Sequence, residues 1–305
     1  MCHLSRSRIR LNTVLLLVLS LLVTCLLPAC GKKEAALPWP EREIVFDFNP
    51  AGMVNQPEQI IPWEELEIYD QFWRVELDGR SYDVLETPLP KERIGPELTP
   101  VVLKGHDSMA EFQGKEAVEH THPAVLYAIE GISVQCAVAV EYEGESDLYP
   151  AYSSSYQPET LGQFIEDLSL KENLVLRGDG TYYHLPATAD RVTAHVEGID
   201  PAKVWELLSA NPEAENNPDL IYFPGPDPLL PLLEMGIDFP LFGIHRIVLT
   251  VCEDGYVTTN LLGTGKAFHI GEDHTQAFLD YVLAECDGYI PVYTHTGPSP
   301  SPVPS

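Results

Sequence analysis

The chain has 305 residues, in which 18 Lys and Arg face 46 Asp and Glu, for a formal net charge of −28 at pH 7. A surface this acidic repels nucleic-acid backbones and anionic headgroups, attracts cations and basic partners, and argues against a nucleic-acid-binding role. The acidic residues are dispersed rather than blocked, the pattern of solvated faces on a folded body.

Residues 1–29 carry Arg6, Arg8 and Arg10 ahead of an uncharged run from Val14 to Leu27, closed by Leu27-Pro28-Ala29-Cys30. A basic start, a short apolar stretch and a small-residue site form the pattern of a secretory signal. The run is shorter than the ~20 residues a spanning helix needs. This stretch resembles the lipobox of bacterial lipoproteins. The resemblance implies cleavage before Cys30, acylation of its thiol and new amino group, and a chain held at the extracytoplasmic face of the cell membrane by lipid. The remaining cysteines are then Cys136, Cys252 and Cys286, an odd number that cannot all pair. A Cys252–Cys286 bridge is open to an exported chain, whereas the apolar runs around Cys136 and Cys252 suit small buried hydrophobes.

From Cys30 to Pro40 the small, basic, proline-bearing composition is that of a tether. The folded body is expected over residues 41–295, ahead of a Pro/Ser tail at 296–305 that cannot form a packed core. Within the body a strand–turn–strand–loop–helix pattern occurs twice. The first copy runs from Gly131 to Val140, through Tyr149 to Tyr156, and into a stripe at Leu161, Phe164, Ile165 and Leu168. The second runs from Gly243 to Val251, through Tyr256 to Leu262, and into Thr275, Phe278, Leu279 and Val282. Glu143-Gly144 and Asp254-Gly255 supply hairpin turns, Pro158 suits the first turn of the earlier helix, and Asp200-Pro201 opens a further helix. Leu77-Asp78-Gly79-Arg80 and Gly178-Asp179-Gly180 both read as tight hairpin turns. The expected fold class is α+β, in two tandem modules, 41–172 and 173–295, each an antiparallel sheet with a packed amphipathic helix. The segment from Gly131 to Leu170, with Tyr149-Pro-Ala-Tyr152, is also similar to segments of uncharacterised lipoproteins of Gram-positive bacteria; that resemblance bears on location and implies no activity.

His120-Thr121-His122, with His106, Asp107, Glu116 and Glu119 nearby, is the best candidate for chemistry. On a strand both imidazoles share a face and, with a carboxylate, suit zinc or another divalent metal. Against this, Pro123 follows at once and Met109–Val118 reads as an exposed loop, the setting of solvated histidines. His269 to His274 is a second cluster, although Glu272 and Asp273 are explained by the dipole of a helix start. Gly263-Thr264-Gly265-Lys266 lacks the leading glycine and trailing hydroxyl of a phosphate loop. Tyr149 and Tyr152 are candidates for an exposed binding face, since strand alternation sends residues i and i+3 to opposite sides. With no nucleophile elbow, Ser-x-x-Lys or His-Glu-x-x-His present, the expected function is a lipid-anchored binding or interaction protein of the cell envelope. It has no cofactor beyond the covalent lipid and binds an unknown protein or small ligand. The alternatives are a metal-dependent envelope enzyme using His120 and His122, and an envelope sensor or inhibitor that docks a protein. Replacing Cys30 by Ala is expected to abolish incorporation of labelled fatty acid and block processing. A variant that still takes up label would defeat the lipoprotein reading.

Overall fold

The computed structural model describes residues 37–46, 61–107, 118–184, 191–222 and 229–295. Residues 1–36, including the apolar run and Cys30, the greater part of the loop at 109–118 and the tail at 296–305 lie outside the described residues.

In chain order the strands are β1 (Glu41–Phe46), β2 (Arg74–Leu77), β3 (Arg80–Val84), β4 (Ile94–His106), β5 (Glu119–Ile129), β6 (Ala137–Tyr142), β7 (Leu148–Tyr152), β8 (Val175–His184), β9 (Val192–Glu197), β10 (Pro231–Phe239), β11 (Ile244–Cys252), β12 (Tyr256–Thr259), β13 (Lys266–His269) and β14 (Asp287–His295). The helices are α1 (Ile68–Gln71), α2 (Leu161–Asp167), α3 (Leu170–Asn173), α4 (Pro201–Leu208), α5 (Asp219–Tyr222) and α6 (Glu272–Glu285). The fold is mixed α+β, as expected, and rich in sheet; its two sheets do not each carry a packed helix of their own, because α2 and α4 lie against the second. Six strands pair in the order β2-β3-β7-β6-β5-β4 and eight in the order β1-β14-β9-β8-β10-β11-β12-β13. All neighbours are antiparallel except β1 and β14, which run parallel.

The expected punctuation marks several elements. Asp78 and Gly79 take positive φ in the β2–β3 turn, and Gly144 and the pair Asp254, Gly255 do so between β6 and β7 and between β11 and β12. Asp200 accepts from the Ala202 amide at 2.9 Å with Pro201 in the first turn of α4, an N-cap placed where Asp-Pro predicts it. Thr275, Phe278, Leu279 and Val282 are all buried along α6. Two local expectations differ. The cap of α2 is Thr160, whose Oγ1 accepts from the Gln163 amide at 3.2 Å, so Pro158 lies before the helix. Gly178-Asp179-Gly180 is no turn but part of continuous strand β8. Gly178, at φ 75°, makes a bulge there, where the β8–β10 register slips between Met235 and Ile237. Glycine signals positive φ, which a bulge and a turn need alike.

The six-stranded sheet curls until β2 lies against β4. Its concave side encloses Trp63, Phe72, Val75, Tyr82, Leu103, Leu126, Val138, Val140, Tyr142 and Tyr149. Residues 63–72, a short 3₁₀ turn followed by α1, plug this space. Gly105 is required there, because a Cβ would sit 2.5 Å from a Trp63 ring atom.

On the eight-stranded sheet, Leu233, Met235 and Ile237 of β10 stand opposite Val251, Leu249 and Ile247 of β11 on the inner face. Helices cover that face. Leu161 and Phe164 of α2 and Leu208 of α4 line one small apolar void with Ile237, Leu249, Val257 and Phe268, and α6 packs beside α4. The helix that follows β7 in the chain thus lies against the second sheet. β1 also crosses over, pairing with β14. Packing begins at Trp39, inside the expected tether: its indole is 7% exposed, meets Tyr182 edge-on at 5.6 Å and donates to the Cys286 carbonyl at 3.0 Å. Pro38 onward forms one compact unit.

Lys266, at the start of β13, is fully buried. Its ammonium donates to the carbonyls of Leu261 (2.8 Å) and Thr264 (2.9 Å) and to Thr264 Oγ1 (2.6 Å). The rings of Phe164 and Tyr156 lie 5.4 and 5.9 Å away. Burial pulls its pKa down to about 7. The unfolded chain therefore holds a proton that the folded one has released between about pH 7 and the ordinary lysine range, and stability rises with pH there. Relative to Lys266→Met, the wild type should gain roughly 2 kcal/mol of unfolding free energy between pH 7 and 9. Urea titrations at the two pH values measure this, and parallel behaviour would mean the lysine keeps its proton.

Candidate functional site

The two histidines singled out in the sequence do fall on one face of β5, and that face belongs to the aromatic core. His120 stacks on Trp63 with ring centroids 4.6 Å apart and planes inclined by 13°. His122 lies 5.3 Å from Phe72 and 6.0 Å from Tyr142, with Nε2 3.1 Å from the Glu143 carbonyl oxygen. Glu119 pairs with Lys104 at 3.3 Å, and Glu116 is outside the described residues. Among the described residues no group of three or more His, Cys, Asp or Glu is placed to hold a metal ion.

Tyr149 and Tyr152 take opposite faces of β7, as alternation requires, yet neither is open. Tyr149 is 9% exposed, with Tyr69 at 5.3 Å and Tyr142 at 5.9 Å. Tyr152 is half-buried, its ring against Gly263. The sequence argument assumed a sheet wet on one side, whereas β7 is covered on both. Cys136, Cys252 and Cys286 are free and buried; burial pushes the first two thiols up to about 12 and about 11, far from a reactive thiolate. His269 packs on Tyr256 at 4.9 Å, while His274 lines a separate cleft between α4 and α6. Lys266 points inward, away from any ligand its glycine-rich approach might have served.

One sizeable cleft was not picked out in the sequence. It has a volume of about 570 Å³, within the range of ligand sites, and lies along the β4–β5–β6 end of the six-stranded sheet. Cross-strand register puts Pro100 opposite Val125 and Val102 opposite Pro123. Alternation turns these four to the convex side, away from the aromatic core. They form an apolar floor that is open among the described residues: Val102 is 67% exposed. Glu141, Glu143 and Glu145 form the wall, the last two in the β6–β7 turn. Glu141 is held by Tyr127, whose hydroxyl donates to its Oε2 at 2.7 Å, and this hydrogen bond is the main cause that raises the Tyr127 pKa. Among the described residues no cation lines the cleft.

The outer face of the eight-stranded sheet offers a contrast. Tyr183 Oη donates to Glu234 Oε2 at 2.5 Å, Arg191 lies 3.7 Å above the Tyr183 ring, Arg42 covers Tyr289 at 4.8 Å, and His195 meets Glu197 at 3.3 Å. Its polar groups are satisfied by each other, whereas the carboxylates over the apolar floor form no ion pair among the described residues. The only hint in the sequence was the run of Glu141, Glu143 and Glu145 at every second position, since which side of β4 is bare depends on what packs against it.

Trp63 couples the plug to the histidine pair, so Trp63→Ala should cost roughly 3–5 kcal/mol of stability in a denaturant titration; a loss below about 1 kcal/mol would show that the indole is not part of the core. No family model, curated protein or solved structure matches the chain, so its function is read from these residues and their arrangement.

Proposed function

We propose that this chain is a lipid-anchored binding protein of the bacterial cell envelope, attached through Cys30 and acting at the extracytoplasmic face. The observation that carries the binding role is the uncovered apolar floor of Pro100, Val102, Pro123 and Val125, walled by three carboxylates. An exposed apolar patch rimmed by polar groups is a mark of an interaction site. The lipobox-like stretch supports the location, and among the described residues no helix is long and apolar enough to cross a membrane. The two hairpin–helix units, β6–β7 with α2 and β11–β12 with α6, support a reading of the body as tandem modules. Their helices gather on the second sheet, which leaves the far end of the first free to bind.

A photoreactive residue at position 102, in the chain expressed in its native host, should yield a discrete covalent adduct, whereas one at Glu172, exposed beside Gly162 and Pro212, should not. The absence of any adduct specific to position 102 would remove the cleft from the binding role.

A further inference from the structure

The ligand of this cleft can be named by chemical class. We propose that it is a short extended polypeptide segment in which basic residues accompany aliphatic ones, a step that rests on the binding role assigned to the cleft above.

Three features of the site point to this class. First, charge: Glu141, Glu143 and Glu145 stand together with no Lys or Arg lining the cleft among the described residues, and Glu97 is paired across strands with Tyr127 on the same face. The nearest cation along the hairpin, Lys104, is taken by Glu119. The field over the floor is therefore negative and uncompensated, and a cationic partner gains both attraction and faster encounter. Second, the floor is aliphatic and proline-lined, so a purely ionic ligand such as a bare polyamine would leave it wet. Third, the shape is a shelf open on one side beside β4, the end strand of its sheet. An extended chain laid along five residues of β4 would span about 17 Å, with alternate side chains on the floor and the intervening ones free to reach the carboxylate wall. Pro96 and Pro100 deprive this edge of two donors, the usual protection against strand addition. The segment is thus held by its side chains and not by continuing the hydrogen-bond ladder.

The test uses the full chain purified in mild detergent and fluorescein-labelled hexapeptides, read by fluorescence anisotropy. Lys-Val-Lys-Val-Lys-Val should bind saturably and weaken as salt is raised, while Glu-Val-Glu-Val-Glu-Val should not bind. Glu141→Gln/Glu143→Gln/Glu145→Gln should weaken binding about tenfold, on the order of three surface charge contacts. The control Glu166→Gln/Glu172→Gln/Glu213→Gln removes as many charges from another exposed surface and should change affinity less than about twofold. Val102→Asp adds a negative charge but spoils the floor, and should also weaken binding.

Equal weakening by both triple variants, or tighter binding by Val102→Asp, would mean that peptide is attracted by net charge alone and would overturn the proposal. So would equal binding of Lys-Gly-Lys-Gly-Lys-Gly. If cationic peptides fail while the position-102 adduct still forms in cells, the cleft binds something else: the ligand class falls and the binding role stands.

Discussion

The arrangement of the two sheets depends on one buried polar junction. Lys266 enters the interior with its Nζ in hydrogen-bond contact with the carbonyls of Leu261 and Thr264 and with Thr264 Oγ1. A buried amino group lacking such partners is costly whether charged or neutral, so the loop from Leu261 to Thr264 is constrained to present its oxygens inward. That constraint is visible in the backbone, where Leu262 and Gly263 both take positive φ. Thr264 passes the connection on by donating to the Tyr156 carbonyl at 3.1 Å, and Tyr156 in turn donates to Asp167 Oδ2 of α2 at 2.8 Å. Through this chain β13, the segment after β7 and the end of α2 are fixed to one another. Gly263 then meets the ring of Tyr152 on the first sheet.

Fixing the sheets this way determines which surfaces remain available. Around β6 and β7 the first sheet is buried on both sides: Val138 and Val140 face the aromatic plug, and Ala137 and Ala139, also without exposure, face the other way. The long β4–β5 hairpin runs past this double cover. Beyond it the convex side has no layer to pack on among the described residues, and the same alternation that buries Leu103 and Leu126 leaves Val102 and Pro123 exposed. An exposed apolar floor is therefore a consequence of one hairpin outgrowing its neighbours. The histidines on the opposite side of that hairpin are drawn into packing by the same geometry, because Trp63 and Phe72 fill the concave side and an imidazole stacks on them as another flat ring.

Much of the local structure was legible in the sequence. The Asp200-Pro201 cap, the α6 stripe and the turns at Asp78-Gly79, Glu143-Gly144 and Asp254-Gly255 follow from interactions within a few residues, and each appears where those interactions place it. The candidate site was legible only in fragments. His120 and His122 share a face because strand period dictates it, and Tyr149 and Tyr152 oppose each other for the same reason. Whether such a face is wet, stacked or buried depends on segments distant in the chain.

The sequence by itself determined the Asp200-Pro201 helix start, the antiparallel hairpins at Asp78-Gly79, Glu143-Gly144 and Asp254-Gly255, and the acidic net charge, since these are set by side-chain chemistry and short-range geometry. Only the tertiary structure decided that Gly178 makes a bulge, that β1 joins β14, that Trp39 belongs to the core and that α2 packs on the second sheet. It also decided that Lys266 is an interior junction and that Val102, not Tyr149 or Tyr152, meets the solvent. Each of these depends on which apolar surface finds a partner, and that is set by contacts between residues far apart in the chain, which no local pattern records.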